Sequence, residues 1–375
     1  MSTETNPNGG YTVKKLIAAL LAVILLFSLF GCTNFYEPVE STEREKSVVM
    51  TFTLDGAKYD LTYEVYRAFF LTYKDEISGG DDSVWTGANA AEYIEKINEK
   101  IVDMALDIYS TFALARRVGI DPYSTEIGKT INSYINESIK AAESYSAYLA
   151  SLKKLYLNYS MQTLLFRYAV VLDKLELYYI GASSVEELES GLTEPGAITY
   201  TDDDIAEFYN SDDCKRILRV HIQGAAHVDP MAKAEKVAND IRAAKSESEI
   251  VRIMVNNSLI GGPEIENGYM IGKYNLDTAV YGEMVDAVFE ADSGDVVGPI
   301  VIHDGDEYIY YVIYIADKSA EHLEENMADV TYVYLWNAVG ELLEGVEDAL
   351  EDTVTMSDFY KTIIHSEISM DEEAA

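Results

Sequence analysis

Apolar positions along this chain fall into four regimes: one continuous run, then helical periods, then strict alternation, then helical periods again. The continuous run extends from Leu16 to Phe30. Val48 to Leu54 (VVMTFTL) predicts a strand, residues 55–56 (Asp-Gly) a turn, and Thr62 the cap of a helix carrying Tyr63, Tyr66, Phe69 and Phe70. A Gly/Asp/Ser-rich loop from Ser78 to Gly87 separates this helix from the next. There Ile94, Ile97, Ile101, Met104, Ile108, Phe112 and Ala115 recur at spacings of three and four, which places them on one helical face ending at Gly119. Pro122 is expected to open a further helix with Ile127, Ile131, Ile135 and Ile139 in one stripe, and Leu149 to Tyr179 reads as a long helix rich in Leu and Tyr.

The period changes after the turn-rich stretch Gly191 to Ile198. Thr201 to Asp204 has the form of a capping box, and the helix from Ile205 to Tyr209 leads into CKRILRVHIQ, Cys214 to Gln223, whose apolar and polar residues alternate as in a half-buried strand. Strand, helix and strands continue to Asp317. Beyond Ala320, Val330, Val333, Val339, Leu342, Leu343, Val346 and Leu350 restore the helical period, and the chain ends acidic. The expected class is α+β: a helical domain (47–210), an inserted α/β module (214–318), and a returning C-terminal helix with its tail (320–375) that packs on the helical domain.

Composition narrows the function. Of the 375 residues 48% are hydrophobic, enough for two cores, and a formal charge of −37 argues against binding nucleic acid through phosphate neutralisation. Lys14 and Lys15 precede the Leu16–Phe30 run, which is short for a spanning helix and has the build of an export signal. Leu29-Phe30-Gly31-Cys32 resembles a bacterial lipobox, with Phe30 where a small residue is usual. That resemblance implies a signal peptide over 1–31, lipidation of Cys32, and a tether over 32–46; an uncleaved anchor is the other reading. With Cys32 carrying lipid, Cys214 has no partner, so neither a disulfide nor a cysteine-based metal site is available. The chain has no HExxH, nucleophile elbow or phosphate-loop motif, and no metal or cofactor is expected.

In order, residues 214–318 offer a histidine-bearing strand (ILRVHIQ), a helix (AKAEKVANDIRAA), and a Gly-rich turn (Gly268 to Tyr274). The segment Met284 to Val301 (MVDAVFEADSGDVVGPIV) and a last strand (YYVIYIAD) follow. The module resembles the parvulin-type (PpiC) peptidyl-prolyl isomerase domain. Ala287-Val-Phe289 followed by Ser293-Gly-Asp-Val-Val-Gly298-Pro299 is similar to that family's most specific signature, with Gly298-Pro299 expected to start the hairpin into the last strand. The flanks, Ala115-Arg-Arg-Val-Gly-Ile120 and TYTDDDIAEFYNS, resemble the PrsA/SurA-like extracytoplasmic foldase lipoproteins, which implies that the helical domain is a SurA-N-like chaperone domain. The resemblance places His221 at the first histidine position of the family's site. Tyr311 stands where the second histidine is usual, and Ser258, beside Asn257, lies nearest to the acidic position. Met284 falls at the pocket phenylalanine and Val280 or Tyr281 at the pocket methionine, while Phe289 reads as core more than pocket.

What the resemblance implies is a membrane-tethered protein on the extracytoplasmic face that isomerises prolyl bonds in unfolded or partly folded exported polypeptides. It is compatible with a homodimer. Three alternatives stay open. His221 is either a working imidazole or a hydrogen-bonded core histidine. The 29 tyrosines serve either packing or a groove for unfolded chains. The module itself is either an isomerase or, with its second histidine and acid replaced, a holdase; a solute-binding lipoprotein of a transporter is a more distant reading.

Overall fold

The structure is a computed structural model and describes residues 41–190, 195–223, 229–258, 265, 268–274, 278–304 and 307–369. The expected signal peptide, residues 1–31, and Cys32 lie outside the described residues. Among those described, no helix is long and apolar enough to cross a membrane. The chain is α+β and divides into two compact units, one of residues up to Leu175 together with those from Leu342, the other from Glu176 to Glu341.

The first unit begins with a hairpin of β1 (Val48–Leu54) and β2 (Ala57–Thr62). Asp55 and Gly56 both take positive φ, 52° and 77°, the backbone that a two-residue turn between right-twisted strands needs. The two-residue strand β7 (Thr355–Met356) pairs with the free edge of β1, giving the order β2-β1-β7. Helix α1 (Tyr63–Ser78) follows, capped at its C-terminus by Gly79 in the left-handed region. In α2 (Ala90–Arg117) the periodic residues Ile97, Ile101, Met104, Ile108, Phe112 and Ala115 are all fully buried. Past its end the Ile120 amide donates to the Ala115 carbonyl and the Gly119 amide to Arg116, so a Schellman motif stops the helix where the pattern predicts. The following helix, α3 (Thr125–Ala141), buries Ile127, Ile131, Ile135 and Ile139. Its cap is Ser124, whose hydroxyl accepts from the Ile127 amide, so Pro122 precedes the helix instead of opening it. The residues 149–179 form two helices, the end of α4 (Tyr145–Lys154) and α5 (Tyr159–Tyr179).

The second unit contains α6 (Val185–Ser190) and α7 (Asp202–Asn210), the latter started by the Thr201/Asp204 capping box. At its centre is an antiparallel four-stranded sheet. In chain order its elements are β3 (Cys214–Gln223), α8 (Pro230–Ala243), α9 (Glu247–Asn257), β4 (Tyr269–Gly272), α10 (Thr278–Phe289), β5 (Val296–Asp304) and β6 (Glu307–Ala316). The strand order is β4-β3-β6-β5. Alternation along β3 decides what each face meets. Leu218, Val220 and Ile222 pack with α8 and α9 through Val237, Ile241 and Met254. Ile217 on the opposite face joins Ile313 and Ile315 of β6 and Met284 and Val288 of α10. Cys214 at the start of β3 and Met270 of β4 pack with α7, α11 (Ala320–Glu325) and the first turns of α12 (Met327–Glu351) through Phe208, Leu323 and Val333.

The two ends of the 214–318 stretch meet. The Lys318 ammonium, just past β6, donates to the carbonyls of Tyr209, Ser211 and Cys214, each at 2.7 Å. Gly298-Pro299 does not start the last hairpin. The two residues sit in a bulge inside β5 between Val297 and Ile300, and β5 turns into β6 after Asp304, which pairs with Glu307. The reason is local. Proline cannot donate to a ladder and is tolerated on an edge strand at a bulge, and β5 is the edge of this sheet. Gly298 has φ 97°, and a Cβ there would fall 2.6 Å from the Tyr311 carbonyl oxygen, so only glycine fits behind Tyr311.

Candidate functional site

The odd-numbered residues of β3 and β6 project onto the α10 face of the sheet, which brings His221 and Tyr311 together. They are direct cross-strand partners, with ring centroids 5.2 Å apart and planes inclined by 52°. The His221 amide points away from β6, because it donates to the Ser258 hydroxyl at 3.3 Å. In an antiparallel ladder that direction makes His221 and Tyr311 a non-hydrogen-bonded pair, the closer of the two kinds, with Cα atoms about 4.5 Å apart. Ser258 is placed by the C-terminus of α9, where its own amide donates to Met254. β4 pairs with β3 no further than Ile217, so Ser258 takes over an amide that the sheet leaves behind. Its contact with His221 therefore runs through the main chain.

Around the pair lie apolar residues. Tyr311 clusters with Met284, Val288, Ile309 and Ile313, and Phe289, Val297 and Ile300 pack against them half-buried. Met284 is fully buried, so it braces Tyr311 from behind instead of lining an open surface. Phe289 is half-buried at the end of α10, packed against this cluster. Val280 and Tyr281 belong to α10, and their side chains lie outside the described residues. A cavity of about 630 Å³ in this unit is lined by Ile241, Arg242, Ser246, Glu247, Val296 and Tyr314, at the α8–α9 side of the sheet and away from His221.

Sequence reasoning passed over two residues here. Arg219 shares the face of His221, two residues away, and its Cζ lies 4.8 Å from the ring centre of Tyr311 and 5.1 Å from that of Tyr269 on β4. The signal was present in the alternation Ile217, Arg219, His221, but a lone arginine in a strand is ordinarily a solvated edge residue. Nothing local predicts that Tyr269 and Tyr311, 42 residues apart, flank it.

The arrangement has no nucleophile activated by a base, and among the described residues no group of His, Cys, Asp and Glu could hold a metal ion. Its chemistry is that of hydrogen-bonding groups, an imidazole and a phenol, set over an apolar floor with an arginine beside them.

No family model matches the chain, and no curated protein does. Among solved structures it is similar to foldase protein PrsA from Streptococcus pneumoniae str. Canada MDR_19A, at 13% identity over 84% of this chain and 98% of that one, with a TM-score of 0.25. It is also similar to PrsA from Bacillus subtilis, at 14% identity over 82% and 93% with a TM-score of 0.24. A third is the foldase protein PrsA from Lactococcus lactis, at 12% identity over 86% and 99% with a TM-score of 0.23. Scores this low leave the likeness without weight for activity.

Proposed function

We propose that the protein is a folding factor, tethered outside the cytoplasmic membrane through Cys32, in which residues 214–318 form a parvulin-like module that isomerises prolyl bonds of exported polypeptides. The observation that carries this reading is the direct pairing of His221 with Tyr311 on neighbouring strands, over the apolar cluster of Met284, Val288 and Ile313.

The physical task is compatible with such a site. Rotation about a prolyl peptide bond is opposed by roughly 18–20 kcal/mol of resonance stabilisation, and the uncatalysed step takes tens of seconds or longer. No covalent intermediate is needed. The barrier falls when the amide leaves water for an apolar surface and when polar groups bind the twisted amide better than either planar form. In this reading the proline ring lies against the apolar side of the face. The His221 imidazole and the Tyr311 hydroxyl supply hydrogen bonds that the twisted carbonyl and nitrogen use better than the planar ones do. Tyr311 in place of an imidazole keeps a hydrogen-bond donor at that position.

The test is proline-limited refolding of a model protein with the wild-type chain and with His221→Ala and Tyr311→Phe. The expected outcome is acceleration by wild type, reduced at least about tenfold in His221→Ala and less in Tyr311→Phe. Equal acceleration by all three overturns the assignment of these residues. A second reading, a holdase, is favoured by the complete burial of Met284, which leaves no open pocket at that side chain. Suppressed aggregation of the client with no change in its refolding rate would select it. The solute-binding reading calls for repeated βαβ units, and every strand pair among the described residues is antiparallel.

A further inference from the structure

The corner of the first unit where the chain enters it departs from the acidic character of the protein. Residues 41–47 are fixed on α1. The Glu64 amide donates to the Glu45 carbonyl and the Tyr63 amide to that of Ser47, while Arg67 pairs with Glu45 at 3.1 Å. The Ser41 hydroxyl donates to Glu64 Oε2 at 2.7 Å, and so does the hydroxyl of Ser160 in the first turn of α5. The entry of the chain and the start of α5 therefore meet on one carboxylate oxygen.

Just before α5, the end of α4 runs into Lys153-Lys154-Leu155-Tyr156, four consecutive exposed residues. Leu155 is 37% and Tyr156 40% exposed. Tyr156 has φ 56°, with its amide donating to Lys153 and the Leu157 amide to Leu152. A tyrosine thus takes the left-handed position that usually falls to glycine at such a helix end, a strain of the kind that collects at binding sites. The sequence around the loop is unusual in another way. Residues 144–172 contain no Asp or Glu, although the chain carries 65.

Two lysines beside an exposed leucine and tyrosine suit the interface of a bilayer. Lysine heads reach lipid phosphates, a tyrosine ring sits at headgroup level, and a leucine enters the acyl boundary. Reach selects this partner over others. Ser41 is nine residues on from Cys32, and a chain of that length spans at most about 30 Å when fully extended. With Cys32 held at a membrane, this corner stays within that distance of the lipid, and a weak surface contact acts at high effective concentration. The chain as a whole, at a formal charge of −37, is repelled by anionic lipid, which confines contact to a part without carboxylates.

We propose that the Lys153–Tyr156 loop docks the first unit on an anionic bilayer surface beside the anchor. The proposal rests on the tethering part of the proposed function, and sedimentation with vesicles separates the two.

The full chain carrying Tyr156→Trp is mixed with vesicles of brominated phosphatidylcholine, with or without phosphatidylglycerol. Quenching of the added indole emission, over that of wild type, reports contact with lipid, and co-sedimentation is measured on the same samples. Strong added quenching is expected on the anionic vesicles and weaker quenching on the neutral ones. Lys154→Glu in the same background is expected to need about tenfold more anionic lipid for equal quenching. Ile364→Trp, at a site 55% exposed in the C-terminal segment, is expected to show none. Absence of added quenching at position 156, equal quenching at position 364, or quenching unchanged by Lys154→Glu overturns the proposal. So does an emission change at position 156 on adding an unfolded client but not vesicles, which assigns the loop to clients. A chain that sediments with neutral vesicles without quenching keeps its anchor and loses the docking loop. One that sediments only with anionic vesicles, and is quenched there, keeps the docking loop and loses the anchor.

Discussion

The two units bury different kinds of residue, and the difference bears on how each responds to its surroundings. In the second unit, β3 puts Leu218, Val220 and Ile222 against α8 and α9 with no polar side chain among them. In the first, a polar network lies inside the aromatic core: Tyr66 donates to the Asn98 side-chain oxygen at 2.8 Å and meets His365 Nε2 at 3.0 Å, and the Asn98 amide donates to Tyr360 at 2.6 Å. Tyr360 and His365 belong to the C-terminal segment after β7, so the network ties the end of the chain to α1 and α2. The same unit partly buries carboxylates. Loss of solvent, reinforced by Asp107, Asp103, Asp348 and Glu351, pushes Glu347 up to about 8. Burial does the same to Asp103, raising it to about 6. The Leu218–Ile222 side of the sheet is thus held by transfer of apolar surface, which is indifferent to pH, whereas the core of the helical unit also contains groups whose protonation is coupled to folding.

The largest expected effect breaks the apolar side. Leu218→Ala removes a fully buried side chain between the sheet and α8, at a cost of about 3 kcal/mol. Hydrogen exchange resolved by segment should show faster opening of β3, β6 and α8 by the same factor at every pH from 5 to 8, with α1 and α2 unchanged. A change in α1 and α2 as large as that in β3 would mean that the two units open as one.

The next effect sharpens the other side. Burial lowers His365 to about 4 in the folded protein, against 6.5 when unfolded. Its contribution to stability is complete above pH 6.5 and is lost as pH falls toward 4. Glu347 acts in the opposite sense. Its folded value is raised above the unfolded 4.5, so the contribution is complete below that pH and is lost as pH rises toward 8. Between pH 6.5 and 8 Glu347 titrates in the folded protein and His365 does not, its unfolded form losing only the last half proton near 6.5. One proton over that interval amounts to roughly 2 kcal/mol, so the helical unit should lose about that much stability in wild type and very little in Glu347→Gln. Denaturant melts of the two proteins at pH 6.5 and 8 measure it, and parallel slopes with pH would show that Glu347 is not the group responsible.

How much of this was legible in the sequence follows the same division. The bounds of β1, the Asp55-Gly56 turn, the stops of α2 and the capping box of α7 are local chemistry, written in adjacent residues, and the structure shows them where the pattern places them. β2 escaped notice because AKYDLT alternates too briefly, and β7 because two residues carry no period at all. Gly298-Pro299 was legible as a turn signal, but the same dipeptide serves a bulge on an edge strand, and only the register against β6 separates the two uses. The site divides likewise. The alternation of β3 shows which residues share the face of His221, whereas the encounter of Arg219 with Tyr269 and Tyr311 depends on strand order. The His365 network, joining residues 299 apart, has no local signature.

The smallest effect falls where the sheet unit relies on one polar contact. Ser258→Ala takes away the hydroxyl that accepts from the His221 amide, and β4 ends too early to replace it. An amide left half-buried without its partner costs about 1 kcal/mol, so the variant should fold and melt slightly earlier. What the contact does for the site is positional. The hydrogen bond that the His221 amide donates to the Ser258 hydroxyl holds the end of β3 on the side away from β6 and so supports the closer pairing of His221 with Tyr311. Ser258→Thr, which keeps a hydroxyl, should restore both the melting temperature and the cross-strand contact, read as nuclear Overhauser effects between the two rings. If Ser258→Ala leaves those ring contacts at full strength, the pairing is set by the β3–β6 ladder alone, and Ser258 only satisfies a stray amide.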